Sequence, residues 1–158
     1  AAGVIGKSCG IPRFEDAEAA VAAGASAIGF IFWPNSPRFV DPHRARKIAA
    51  ALPPFVTAVG VFVNQPLAYV NGVARLVRVG AVQLHGDESH ETLAALLPHA
   101  YKATRISEAS DVERARRYPV EHLLVTAMAG GSIGGSGTQF ACNQAEGLPR
   151  DRRLPPRA

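Results

Sequence analysis

Lys7-Ser8-Cys9-Gly10-Ile11-Pro12 is the turn that follows the first apolar run, Gly3-Val4-Ile5-Gly6, and two architectures part company at this point. A dinucleotide-binding, doubly wound sheet wants a glycine-rich fingerprint straight after its first strand, and this turn is not one. Downstream, short apolar strands alternate with helical stretches. The strands are read at Ala27-Ile28-Gly29-Phe30-Ile31-Phe32, Thr57 to Val63, Ala81-Val82-Gln83-Leu84, Tyr101 to Arg105 and Glu121 to Val125. Between them lie helices at Ala17 to Ala23, closed by Gly24; Asp41-Pro42 to about Leu52; Gln65 to Val79; Ser89 to Leu97; and Glu108 to Arg117. Strands this short and this apolar are those of a parallel sheet buried on both faces. Repeats of roughly 20–25 residues imply right-handed βα crossovers.

Polar residues close nearly every strand: Cys9, Asn35 to Arg38, Asn64, His85-Gly86-Asp87, Arg105 and Thr126. Functional groups gathered from many strand ends onto one face mark a (β/α)8 barrel, and α/β of that TIM-barrel class is the expected fold. The alternation stops after Phe140. The expected division is a partial barrel domain over residues 1–140 and an irregular Pro/Arg-rich tail over 141–158, with about six of eight βα units present and the barrel incomplete.

Composition bounds the rest. The 158 residues are one domain's worth, 47% apolar and 19% charged, enough to bury a core. Net charge is +4, but Arg150, Arg152, Arg153 and Arg157 against Glu146 and Asp151 supply half of it. The remaining chain is close to balance and has no basic stripe with interleaved aromatics, so no nucleic-acid partner is expected. Residues 19–37 are uncharged but broken by Gly24, Gly29, Pro34 and Pro37, which fits helix, turn and strand better than a membrane span. No signal peptide is read at the N-terminus. Cys9 and Cys142 make no disulfide framework. A soluble, cytoplasmic protein is the expectation.

Four segments carry chemistry on position alone. Cys9 ends the first strand beside Lys7, where a neighbouring cation favours a thiolate base or nucleophile; a small buried core residue is the alternative. Ser36-Pro37-Arg38 offers a guanidinium fork for a carboxylate or phosphate, or else a solvated loop arginine. In His85-Gly86-Asp87-Glu88 the His85 offers an acid, base or ligand, with Gly86 letting the chain turn; the alternative is a helix-capping segment built on Asp87 or Ser89. Gly130-Gly131-Ser132-Ile133-Gly134-Gly135-Ser136-Gly137 is a backbone nest for phosphate, a lid or a linker. No second His or Cys stands at metal-ligand spacing.

Taken in order, these segments resemble phosphoribosylanthranilate isomerase. Lys7-Ser8-Cys9-Gly10-Ile11 matches that family's first strand end, and Gly29-Phe30-Ile31-Phe32-Trp33-Pro34-Asn35-Ser36-Pro37-Arg38 its second unit. Val59 to Asn64, Val82-Gln83-Leu84-His85-Gly86-Asp87-Glu88, Lys102-Ala103-Thr104-Arg105 and Gly134 to Phe140 are similar to the third, fourth and fifth strands and to the loop after the sixth. The resemblance implies an Amadori rearrangement of N-(5-phosphoribosyl)anthranilate in tryptophan biosynthesis, with no metal or organic cofactor. It implies Cys9 as general base and Lys7, Arg38, Gln83, His85, Arg105, Gly135, Ser136 and Gly137 as substrate-binding residues.

Two departures stand out. The family's general acid is an Asp at the end of the sixth strand, in a Leu-Leu-x-Asp context, and here Leu123-Leu124-Val125 is followed by Thr126. Family members follow the glycine loop with Phe-Asp-Trp, whereas here Phe140 is followed by Ala141-Cys142-Asn143, and a shifted reading frame or truncated gene is the expected cause. Three functions follow: an isomerase impaired in this chain, a phosphosugar-binding pseudoenzyme, or a subunit whose barrel another chain completes as a homodimer or higher oligomer.

Overall fold

The computed structural model describes residues 6–106, 109–116 and 123–127. Among them, six strands alternate with five helices. The order is β1 (Lys7–Cys9), α1 (Phe14–Ala22), β2 (Ala27–Ile31), α2 (Pro42–Ala50), β3 (Thr57–Phe62), α3 (Leu67–Val77), β4 (Ala81–Leu84), α4 (His90–Leu96), β5 (Ala100–Ile106), α5 (Ala109–Arg116) and β6 (Leu123–Ala127). The strands follow one another in chain order, β1-β2-β3-β4-β5-β6. The pairings β1–β2, β2–β3 and β5–β6 are parallel. A doubly wound sheet reverses its order at a switch point, and this order does not, so the expected barrel-type winding is the one observed. The chain forms two compact units that divide between Gln83 and Leu84.

In the first unit the register assigns each strand residue to a face. Residues paired across a parallel ladder point the same way, which puts Lys7, Cys9, Ala27, Gly29, Ile31, Thr57, Val59 and Val61 together. The opposite face carries Ile28, Phe30 and Phe62, each 0% exposed. Helices cover that second face: the Phe62 ring meets Tyr69 of α3 edge-on at 6.3 Å and Phe32 at 5.3 Å. The α3 residues Val70, Val73 and Val77 repeat at helical spacing and are all buried. The face bearing Lys7 and Cys9 is therefore the one turned away from α3.

Local chemistry explains most boundaries. Asp41 caps α2, its Oδ1 accepting from the His43 and Arg44 N–H groups at 2.9 and 3.3 Å, with Pro42 at the first helical position. Gly24 closes α1 with φ +94°, its N–H donating to the Val21 carbonyl at 2.9 Å. Ser89 caps α4 through Thr92 N–H at 3.2 Å, which settles the capping alternative between Asp87 and Ser89. Several boundaries differ from the sequence reading. Lys7-Ser8-Cys9, read as the opening of a turn, forms β1 itself. Helix α1 starts at Phe14, not Ala17, and its N-cap Arg13 makes no side-chain cap. Helix α3 ends at Val77 because Arg78 turns left-handed at φ +62°. Strand β6 runs Leu123–Ala127, so Thr126 lies inside it and not after it.

Candidate active site

Cys9 is the last residue of β1 and sits opposite Gly29 of β2. A Cβ on Gly29 would lie 2.9 Å from the Cys9 Sγ and 3.2 Å from its Cα, so the missing side chain is what gives the thiol its place. The thiol is free and half-exposed. Beyond it Gly10 adopts φ +77°, a left-handed conformation that suits glycine. Its N–H donates to the Gly29 carbonyl at 3.0 Å, and the Ile11 N–H shares that acceptor at 3.2 Å.

Arg38 comes to the same place from the loop after β2. The Ser36 N–H donates to the Trp33 carbonyl at 3.0 Å, the Arg38 N–H donates to Ser36 Oγ at 3.2 Å, and the Val40 N–H returns to the Ile31 carbonyl at 3.0 Å. The loop is thereby curled back on the strand it left. Arg38 lays its side chain across Gly10: a Cβ there would stand 2.8 Å from Arg38 Cδ, Nε and Nη1. Nη1 donates to the Cys9 carbonyl at 3.2 Å. One of five guanidinium donors is thus spent on the backbone, and the planar fork is held at the end of β1.

Lys7 precedes Cys9 by two residues and shares its face. Its ammonium donates to Gln83 Oε1 of β4, and Gln83 is only 2% exposed. Burial pushes the Lys7 ammonium below its ordinary 10.5, with the neighbouring Cys9 opposing part of that shift. The expected cation beside the thiol is present, and its ammonium is tied to Gln83. The first unit therefore brings together Lys7, Cys9, Arg38 and Gln83. In chemical terms this is a thiol with one cation on its own sheet face and a second on its backbone carbonyl, suited to proton abstraction next to an anionic group.

The second unit holds the remaining described candidates. His85 follows β4 directly and is 8% exposed. The left-handed glycines among the described residues are Gly10 and Gly24. At Gly86 the turn is held by hydrogen bonds: its N–H donates to Glu88 Oε2 at 2.9 Å and Oε1 at 3.2 Å, and its carbonyl accepts from Lys102 Nζ. Lys102 also pairs with Glu88 Oε2 at 2.6 Å. Neither residue had a role in the sequence reading. The signal was there in Lys102, a lysine inside the apolar run Ala100-Tyr101-Lys102-Ala103, where a charge needs a buried partner. The β5–β6 register sets Arg105 directly opposite Thr126. Gly135, Ser136 and Gly137 lie outside the described residues, as does Cys142. Among the described residues no group of three or more His, Cys, Asp or Glu is placed to hold a metal, and no helix is long and apolar enough to cross a membrane.

Known proteins are similar to this chain in sequence and fold. The family model for N-(5'-phosphoribosyl)anthranilate (PRA) isomerase matches residues 6–154, past the Phe140 at which the motif resemblance ended. The PRA isomerase of Geobacter metallireducens is 46% identical over 134 residues, covering 85% of this chain and 66% of that protein. The Thermotoga neapolitana enzyme is 48% identical over 139 residues, with the same coverage. The chain thus spans about two thirds of the length of the curated relatives it matches. Among solved structures, the Thermotoga maritima PRA isomerase superposes with a TM-score of 0.80 at 40% identity, over 86% of this chain and 67% of that one. A PRA isomerase in complex with reduced 1-(o-carboxyphenylamino)-1-deoxyribulose 5-phosphate gives 0.76 at 41% identity, over 80% and 66%. With a family match over most of its length and a fold shared with these structures, the chain belongs to the phosphoribosylanthranilate isomerase family.

Proposed function

We propose that this chain acts on N-(5-phosphoribosyl)anthranilate as an isomerase, with Cys9 as the base and the acid step weakened by Thr126. The observation that carries the reading is the Cys9 Sγ seated over Gly29, with the Arg38 guanidinium on the Cys9 backbone carbonyl. The rearrangement begins with a proton delivered to the ribose ring oxygen, which opens the ring to an iminium. The Cys9 sulfur then takes the proton from the neighbouring carbon, leaving the enol-amine that settles into the amino-ketose. Arg38 would hold the anthranilate carboxylate by its unspent donors. The phosphoribosyl end is assigned to His85, Arg105 and the loop of Gly135, Ser136 and Gly137. We take the reaction to be cytoplasmic, the compartment that keeps the Cys9 thiol reduced.

The first test is the isomerase rate of the purified chain on freshly made substrate, with Cys9→Ala as control. A rate that disappears in the control is the expected result. A rate equal in both would remove Cys9 from the chemistry. A second reading, binding without turnover, is favoured by one observation: a threonine hydroxyl is too weak an acid to give a proton near neutral pH. Binding of the reduced product analogue with no rate above the control would select it.

A further inference from the structure

We propose that Glu88 and Lys102 are positioning residues for His85, acting through the Gly86 backbone. The geometry is specific. The Gly86 N–H belongs to the peptide plane that begins at the His85 Cα, and both Glu88 carboxylate oxygens accept from it, at 2.9 and 3.2 Å. The next peptide plane is held from its carbonyl by Lys102 Nζ. The same ammonium pairs with Glu88 Oε2 at 2.6 Å, so one ion pair from the middle of β5 and the start of the α4 turn grips both sides of Gly86. Fixing those two planes fixes the backbone rotation that aims His85. A glycine at this position otherwise has the widest choice of conformations of any residue.

The energetics point the same way. The Lys102 and Glu88 side chains are 2% and 4% exposed, and a buried ion pair is a poor source of net stability because desolvation offsets its attraction. An apolar pair of similar volume would serve packing as well. What the pair supplies is two charge-assisted hydrogen bonds to one peptide segment, at the residue after His85. The inference depends on the isomerase reading only for the choice of ligand.

The test is a double-mutant cycle on affinity for reduced 1-(o-carboxyphenylamino)-1-deoxyribulose 5-phosphate, measured by calorimetry on the full chain. Lys102→Met and His85→Ala are each expected to weaken binding about tenfold, and the double variant to bind no worse than His85→Ala alone. Losses that multiply in the double variant, or no loss in Lys102→Met, would overturn the proposal. A purely structural pair would give multiplied losses. Amide exchange and His85 ring resonances, read without ligand, decide the case where the unmodified chain does not bind the analogue. That outcome removes the isomerase reading. Faster Gly86 exchange and a shifted or broadened His85 ring in Lys102→Met then support positioning, and unchanged signals overturn it. If Lys102→Met does not fold, the isosteric Glu88→Gln carries the same comparisons.

Discussion

At Gly29 a hydrogen atom in place of a side chain decides where the candidate base can be. A methyl group there would press on the Cys9 Sγ at 2.9 Å and on backbone at 3.2 Å, and the backbone atom cannot yield. Gly29→Ala is therefore expected to push the thiol off its seat at a stability loss of about 1–3 kcal/mol, the usual cost of overpacking. The isomerase rate should fall much further than the melting temperature. An alanine variant with an undisturbed rate, measured beside its thermal melt, would show that the thiol has room elsewhere. Thr126 is the complementary case. Acid–base partners contribute ~10²–10⁴ in rate, so Thr126→Asp is expected to raise the isomerase rate by at least about tenfold. An unchanged or lower rate in that variant would sink the assignment of the acid step to this position.

The elements show how far local chemistry reaches. Asp41-Pro42 and Gly24 are complete signals, since each satisfies orphan backbone groups without help from the rest of the fold. Asp41→Ala is expected to lower stability by about 1 kcal/mol through the lost cap, with the isomerase rate per folded molecule unchanged. Chemical denaturation beside the rate assay reads both, and a denaturation midpoint equal to that of the unsubstituted chain would show the cap to be dispensable. Where the signal is incomplete the boundaries move. Arg13 offers no capping oxygen, and it ties instead to Asp16 at 2.9 and 3.0 Å on the surface. Arg78 ends α3 in a left-handed conformation that asparagine or glycine would have announced and arginine does not. The Gln65 side chain joins two strand ends, donating to the Phe32 carbonyl at 2.9 Å and accepting from the Val63 N–H at 3.3 Å. Nothing in its local sequence distinguishes it from a helix-start residue.

For the molecule as a whole, Lys7 links the site to stability. Its folded value is lowered from 10.5 by burial, so over the interval between the folded and unfolded values the unfolded chain binds more protons. Stability from this group therefore rises with pH across that interval and is complete above 10.5. Lys7→Met should remove the rise: the stability of the unsubstituted chain minus that of the variant is expected to increase from neutral pH toward 10.5. Urea denaturation at a series of pH values checks it, and a flat difference would mean that the ammonium is not paying for its burial. That a lysine is held half-buried beside Cys9 at such a cost fits a face selected for binding and not for stability.

The order of strands and helices, the barrel-type winding and the family were all legible in the sequence. They rest on short-range patterns: apolar runs, caps, and motifs such as Lys7-Ser8-Cys9-Gly10 and Gln83-Leu84-His85-Gly86. Contacts between residues far apart in the chain needed the tertiary structure. Gly29 under the Cys9 thiol, Arg38 folded over Gly10, Lys7 on Gln83 and Lys102 on the Gly86 carbonyl each join segments that parallel pairing or a returning loop brings together. A pattern along the chain records which faces are apolar. Which side chain reaches which backbone group is set by register and loop path, and those exist only once the sheet has formed.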